Sequence, residues 1–210
     1  MPDEFDMYSE VAFVSIGVIG DAKDWRFETL VDTIDIDTGD KDFESMATIA
    51  GGRLVKFTPQ TDVTLTLEAY PTEAGTDADL ADNGVATGFW DLQNSGSGDS
   101  PMSIPLDLAR NKVRVVILFI EPNAALAAIN ATSAIAGGTT ALRIIMADGY
   151  VTGAKPAFTD DELKWTVTIK FPAFDRRGFT AADGHNVLIE SSNAGALAAI
   201  TNYTTTNKFS

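Results

Sequence analysis

The chain has 210 residues and a mass of 22.4 kDa, with 30 Asp and Glu against 15 Lys and Arg, one His, no Cys and a mean hydropathy of +0.03. That is long enough for one domain with a substantial core and too apolar for a disordered chain. It also lacks the thiols that a disulfide framework or a cysteine-ligated zinc or iron–sulfur site requires. A formal charge of −15 and a pI near 4.2 argue against a nucleic-acid binder, which normally shows a basic stripe to neutralise phosphates.

The first residues, Met1-Pro2-Asp3-Glu4-Phe5-Asp6, are acidic where a secretory signal is basic and then apolar. The expectation is a soluble protein with no export signal of its own and no membrane insertion. Tyr8–Val18 reads as the first strand; Gly17 and Gly20 at its end are a lone pair, short of a dinucleotide fingerprint. Asp32–Ala50 is acidic, punctuated by Thr38-Gly39-Asp40, and reads as an irregular loop. Gly52–Phe57 is a short strand. Val63-Thr64-Leu65-Thr66-Leu67-Glu68-Ala69-Tyr70 alternates apolar and polar residues at period two, the mark of a strand with one face buried.

Pro71–Pro105 is the longest irregular stretch, rich in Gly, Asp and Asn. It contains Phe89-Trp90, which either dock on a neighbouring subunit or pin the loop to its own core. Val113–Ile120 is apolar on both faces and reads as a strand buried on both. After Glu121-Pro122, Asn123 caps an Ala-rich helix from Ala124 to Ala136 that stops at Gly137-Gly138. Leu142–Ala147 and Val187–Ile189 are short strands, residues 193–200 a short turn, and Trp165-Thr166-Val167-Thr168-Ile169-Lys170-Phe171 alternates as cleanly as Val63–Tyr70 does. Together these predict a single domain over residues 1–210, mainly β or α+β, most simply two packed sheets with one flanking helix.

No catalytic or metal constellation emerges. His185 lies in the turn Ala182-Asp183-Gly184-His185-Asn186, and no Gly-x-Ser-x-Gly elbow accompanies it. Asp35-x-Asp37 and Asp77-x-Asp79-x-x-Asp82 place carboxylates at alternate positions. The twelfth position of a calcium loop counted from Asp35 or Asp79 is Met46 or Trp90 rather than Glu, so both read as solvated acidic loops. The expectation is a protein that is not an enzyme and holds neither metal nor cofactor. Asp outnumbers Glu 21 to 9 and Lys numbers only 8, a balance that suits a high-salt cytoplasm, where salt screens self-repulsion.

The stretch Gly51-Gly52-Arg53-Leu54-Val55-Lys56-Phe57-Thr58-Pro59-Gln60-Thr61-Asp62, running into a Thr-rich strand closed by Glu68-Ala69-Tyr70-Pro71, resembles the major tail tube proteins of tailed viruses. Val113–Phe119, the Ala-rich segment, Leu142–Tyr150 and Lys164–Phe174 fit the same pattern, so the likeness covers roughly residues 10–175. The acidic composition would suit a virus of halophilic archaea. The resemblance implies a sandwich-like or barrel-like β domain with a flanking helix. It assembles with itself as hexameric rings, which stack with other tail proteins into a tube in the virion tail. Assembly would take place in the host cytoplasm, and viral DNA would pass through the lumen without specific binding.

On that likeness Val63, Leu65, Leu67, Trp165, Val167, Ile169 and Phe171 are core, and Thr64, Thr66, Glu68, Thr166, Thr168 and Lys170 are candidates for the channel wall. Short hydroxyls and a carboxylate give DNA no basic anchor; Lys170 departs from this and needs a neighbouring carboxylate to offset it. Asp32–Ala50 and the 71–105 arm become ring-to-ring contacts, with Phe89, Trp90, Arg53, Arg110, Arg176 and Arg177 between subunits. Two other readings stay open: a capsid decoration or tail-completion protein, and an extracellular carbohydrate-binding β-sandwich in which Trp25 and Trp90 stack on sugar rings.

Overall fold

The computed structural model describes residues 11–18, 24–27, 31–58, 61–69, 85–86, 112–121, 129, 131–159, 162–172 and 187–200. The strands in chain order are β1 (Val11–Val18), β2 (Asp24–Phe27), β3 (Val31–Asp37), β4 (Phe43–Ala47), β5 (Arg53–Phe57) and β6 (Val63–Ala69). They continue with β7 (Val85–Ala86), β8 (Lys112–Ile120), β9 (Ala141–Thr159), β10 (Glu162–Phe171) and β11 (Val187–Ser191), followed by a single 3-10 turn over Ser192–Ala194. Nine strands form one sheet in the order β3-β6-β10-β9-β8-β1-β2-β7, with β11 also on β9; β4 and β5 form a separate two-stranded ribbon. Every pairing in the large sheet is antiparallel except β2 with β7. The fold is thus mainly β, as expected, but its core is enclosed by one curled sheet rather than by two packed ones.

The curl follows from where the apolar side chains fall. Val14 and Ile16 of β1, Val113, Val115 and Ile117 of β8, Met146 and Val151 of β9, the alternate residues Trp165–Phe171 of β10 and Val63, Leu65 and Leu67 of β6 all join one buried cluster, and Ile34 and Ile36 of β3 pack against it. One face of six strands can meet in one cluster only if the sheet rolls around it. Burying a side chain of this size contributes roughly 1.5–3 kcal/mol, so this cluster is the main source of the fold's stability.

The opposite face is treated differently along the sheet. Behind β1, β8 and the first half of β9, a second cluster of Phe13, Val116, Leu118, Ile120, Ala141 and Ile145 is roofed by Ala131, Ile135, Leu197 and Ile200. This is why Val113–Ile120 is apolar on both faces. The roof corrects the predicted helix over its described part: residues 131–133 form a turn and bend, and Ile135 bridges to Leu197 through two backbone hydrogen bonds of 3.0 and 2.9 Å. An isolated Ala-rich turn has little to gain from helix compared with placing Ile135 and Leu197 in a core. Most of Ala124–Ile129 lies outside the described residues.

An ion pair between a buried arginine and a partly exposed glutamate fastens this roof. Arg143, only 2% exposed, donates from Nε and Nη2 to Glu190 Oε2 at 2.9 and 2.6 Å and from Nη1 to the Ser133 carbonyl at 3.2 Å. Glu190 is its directly opposed residue on β11. Nearby, the Ser192 hydroxyl accepts from Ala141 N at 2.8 Å and sits against the carbonyls of Thr139 and Ala141.

β9 is the spine. Its first half pairs with β8 and β11, and its second half pairs with β10. Two register shifts bend it, one between the partners of Val113 and Val115 and one at Thr152, whose hydroxyl donates to the Thr168 carbonyl at 3.2 Å. Gly149 at the first bend is required by packing: a Cβ there would lie 2.4 Å from Phe171 Cε1. Among the described residues no helix is long and apolar enough to cross a membrane.

Candidate functional site

Beyond the roofed region, no described residue covers the second face of the sheet. Because β6 and β10 are direct neighbours, the residues that alternate outward on each are brought into register: Thr64 opposite Lys170, Thr66 opposite Thr168, Glu68 opposite Thr166. All six residues singled out from the sequence therefore share one face. The neighbouring strands extend each pair into a row. One runs Thr33–Glu68–Thr166–Lys155, the next Asp35–Thr66–Thr168–Gly153, and the third Asp37–Thr64–Lys170–Tyr150–Lys112, across β3, β6, β10, β9 and β8. Thr64, Thr66, Thr166 and Thr168 are half-buried among each other, whereas Asp35, Asp37, Lys155 and Lys170 are exposed.

The rows alter the electrostatic expectation. Among the described side chains of this face, carboxylates come from β3 and β6 (Asp35, Asp37, Glu68) and amines from β8, β9 and β10 (Lys112, Lys155, Lys164, Lys170). The described charges of this face are thus segregated, acidic on β3 and β6 and basic on β8, β9 and β10, rather than uniformly anionic. Lys164 is the amine that a carboxylate holds, with its Nζ 2.7 Å from Glu68 Oε2. The immediate cross-strand neighbours of Lys170 are Thr64 and Tyr150, and the carboxylate in its row, Asp37, stands two strands away.

The second feature is an arm. Past Asp37 and before Val63 the β3–β6 ribbon turns and continues as β4–β5. This corrects the irregular reading of Asp32–Ala50, which holds most of β3 and all of β4. The turn is rigidly built. Asp37 Oδ1 accepts from Gly39 N at 2.9 Å, Thr61 Oγ1 accepts from Asp40 N at 2.8 Å, and Thr58 N and Oγ1 both donate to the Asp42 carbonyl at 2.9 Å. Gly39 has φ +75°, and a Cβ there would stand 2.6 Å from the Thr61 carbonyl oxygen, so no other residue fits without strain.

Every residue of β4 and β5 is exposed. The register Phe43–Phe57, Glu44–Lys56, Ser45–Val55, Met46–Leu54, Ala47–Arg53 sets the two faces. One face carries Phe43, Phe57 and Val55, with the rings 6.3 Å apart and Lys41 Nζ 5.3 Å from the Phe57 centroid. The other carries Met46 and Leu54, and Ile49 stands fully exposed at the tip. Arg53, expected between subunits, lies on this arm with Nη1 3.5 Å from Ser45 Oγ.

Phe89, Trp90, Arg110, Arg176, Arg177 and His185 lie outside the described residues, as does all of the 71–105 arm except β7. Among the described residues no group of three or more His, Cys, Asp or Glu could hold a metal ion.

No protein-family model matches this sequence, and no curated protein matches it. Several solved structures resemble it at low sequence identity. The sheath–tube complex of an extracellular contractile injection system, PVC, in its extended state, is similar at 12% identity and a TM-score of 0.48, covering 90% of this chain and 93% of that one. The tube-terminating cap of the anti-feeding prophage is similar at 9% identity and a TM-score of 0.45, covering 85% and 87%. A crystal structure of an Hcp protein is similar at 10% identity and a TM-score of 0.38, covering 89% and 96%. Each is a likeness of fold.

Proposed function

We propose that this chain is the structural subunit of a viral tail tube, without catalytic activity. Copies join six to a ring, and the rings stack, together with other tail proteins, into a hollow tube in the virion tail. Subunits are made and assembled in the host cytoplasm, and the open face of the sheet lines the bore through which viral DNA leaves.

The observation that carries this reading is that open face. Three cross-strand rows of hydroxyls and offsetting charges cover β3, β6, β10 and the second half of β9, back to back with the core. Short Thr side chains suit any outward sheet face, and a conduit wall gains further from groups that hydrate well and project little. The three carboxylates of β3 and β6 stand beside the lysines of β8, β9 and β10, which limits the net counterion release that makes a phosphate backbone stick.

The chain contains no cysteine, so Thr168→Cys introduces a unique thiol in the middle row. In concentrated protein at multimolar salt, negative-stain microscopy should show tubes of one diameter. A small maleimide should label the thiol in those tubes, whereas a maleimide on a large polymer should label it only after dissociation. Monomers under every salt condition, or equal labelling of tubes by both reagents, contradicts the proposal.

A further inference from the structure

The roof over β8 is bonded to itself as much as to the sheet beneath it. Its buried apolar members, Ala131, Ile135, Leu197 and Ile200, come from two segments, 131–136 and 187–200, whose other described residues are mostly half-buried or exposed. These segments hold each other: Ile135 and Leu197 exchange two backbone hydrogen bonds, and Ile200 N donates to the Thr132 carbonyl at 2.9 Å. β11, which leads into the roof, pairs only with β9 among the described residues, and none of its five residues is fully buried.

Two side-chain ties fasten this unit to the sheet. Ser192 is one, accepting from Ala141 N and donating to the Ala141 carbonyl. Arg143 is the other. It lies in the row Leu118–Arg143–Glu190 across β8, β9 and β11, on the face that the roof covers. It reaches both roof segments at once, Glu190 of one and the Ser133 carbonyl of the other.

That double hold decides how the roof comes away. Lifting one segment alone would leave the guanidinium buried with half its partners gone, which is the costly way to break such a pair. Lifting both together returns Arg143 and Glu190 to water, and their hydration offsets the attraction that is lost. The curled cluster on the other face of β8 and β9 has no member in the roof, so it loses nothing when the roof lifts. We infer that residues 131–136 and 187–200 form a lid that opens as one unit while the curled sheet stays folded, with Arg143 as the positioning residue that makes the two segments move together.

The lid belongs to a single copy of the chain and does not depend on the tube reading. Adjacent residues of β8 test it, because Val116 faces the roof and Ile117 the curled cluster, both fully buried in a chain with no cysteine. In dissociated subunits the Val116→Cys thiol should react with a small disulfide reagent roughly tenfold faster than the Ile117→Cys thiol, since it waits only for the lid. Ile169→Val, in the curled cluster, should speed the Ile117→Cys thiol about fivefold and leave the Val116→Cys thiol unchanged. Glu190→Gln should speed both thiols by a similar factor, because it weakens the closed state against every open one. In the unmodified chain, the amides of Ile135, Leu197 and Ile200 should exchange hydrogen through one common opening, ahead of the paired amides of β6 and β10. Equal rates at the two thiols, acceleration of both by Ile169→Val, or an Ile200 amide that opens apart from that of Ile135 overturns the lid.

Discussion

The strand β8 and the arm β4–β5 are both apolar on both faces, yet β8 is buried almost throughout while the arm is exposed at every residue. In β8 the sequence supplies its own cover: the curled sheet for Val113, Val115 and Ile117, and the roof of Ile135, Leu197 and Ile200 for Val116, Leu118 and Ile120. Among the described residues, nothing in the same copy covers the arm. Two-sided apolarity therefore marks a strand that must be enclosed, and the surrounding chain decides whether the enclosure is internal or comes from assembly.

The sharpest test of that contrast is to make the same cut in both places. Ile117→Ala should destabilise the dissociated subunit by about 2–5 kcal/mol in urea unfolding, because it removes transfer energy and leaves a cavity. Leu54→Ala should move the same transition by less than ~0.5 kcal/mol, since no packing within the subunit is lost, but should raise the protein concentration needed for assembly. A comparable loss of stability from both would end the comparison.

Gly149→Ala should cost about 2–3 kcal/mol by forcing Phe171 out of its place. Most of that cost should vanish in a Phe171→Ala background, and a double-mutant cycle with no coupling would contradict the packing described. Glu190→Gln should cost about 1–2 kcal/mol by leaving the buried Arg143 guanidinium under-compensated, whereas Arg143→Met with Glu190→Leu should unfold close to the unmodified chain. The smallest effect belongs to the open face. Glu68→Gln should cost less than ~1 kcal/mol, and its cost should shrink as salt is added, because the pair with Lys164 is partly exposed.

What could be read from the sequence followed from period. Val63–Ala69 and Trp165–Phe171 alternate strictly because one face of each is core, and the six outward residues named from that alternation do share a face. Val113–Ile120 is equally plain, being apolar but for Arg114. The second half of β9 is not legible because Gly149 and Gly153 interrupt its pattern beside the bends that let it serve both halves of the sheet, and Pro156 interrupts it again further on. In β3, Ile34 and Ile36 alternate with Asp35 and Asp37, a signal present but masked by the acidity of the segment, since acidic residues suit the open face of an edge strand. The charge segregation of the open face could not be read at all. It depends on which strands become neighbours, and register across β3, β6, β10, β9 and β8 is a tertiary fact.

A reconstruction by electron cryo-microscopy of the unmodified chain, concentrated in high salt, tests the central claim most directly. The account predicts a hollow polymer in which the Thr66–Thr168 row faces the empty axis and no copy leaves its β4–β5 arm in solvent. Separate subunits, or a polymer that turns that row outward, would contradict it.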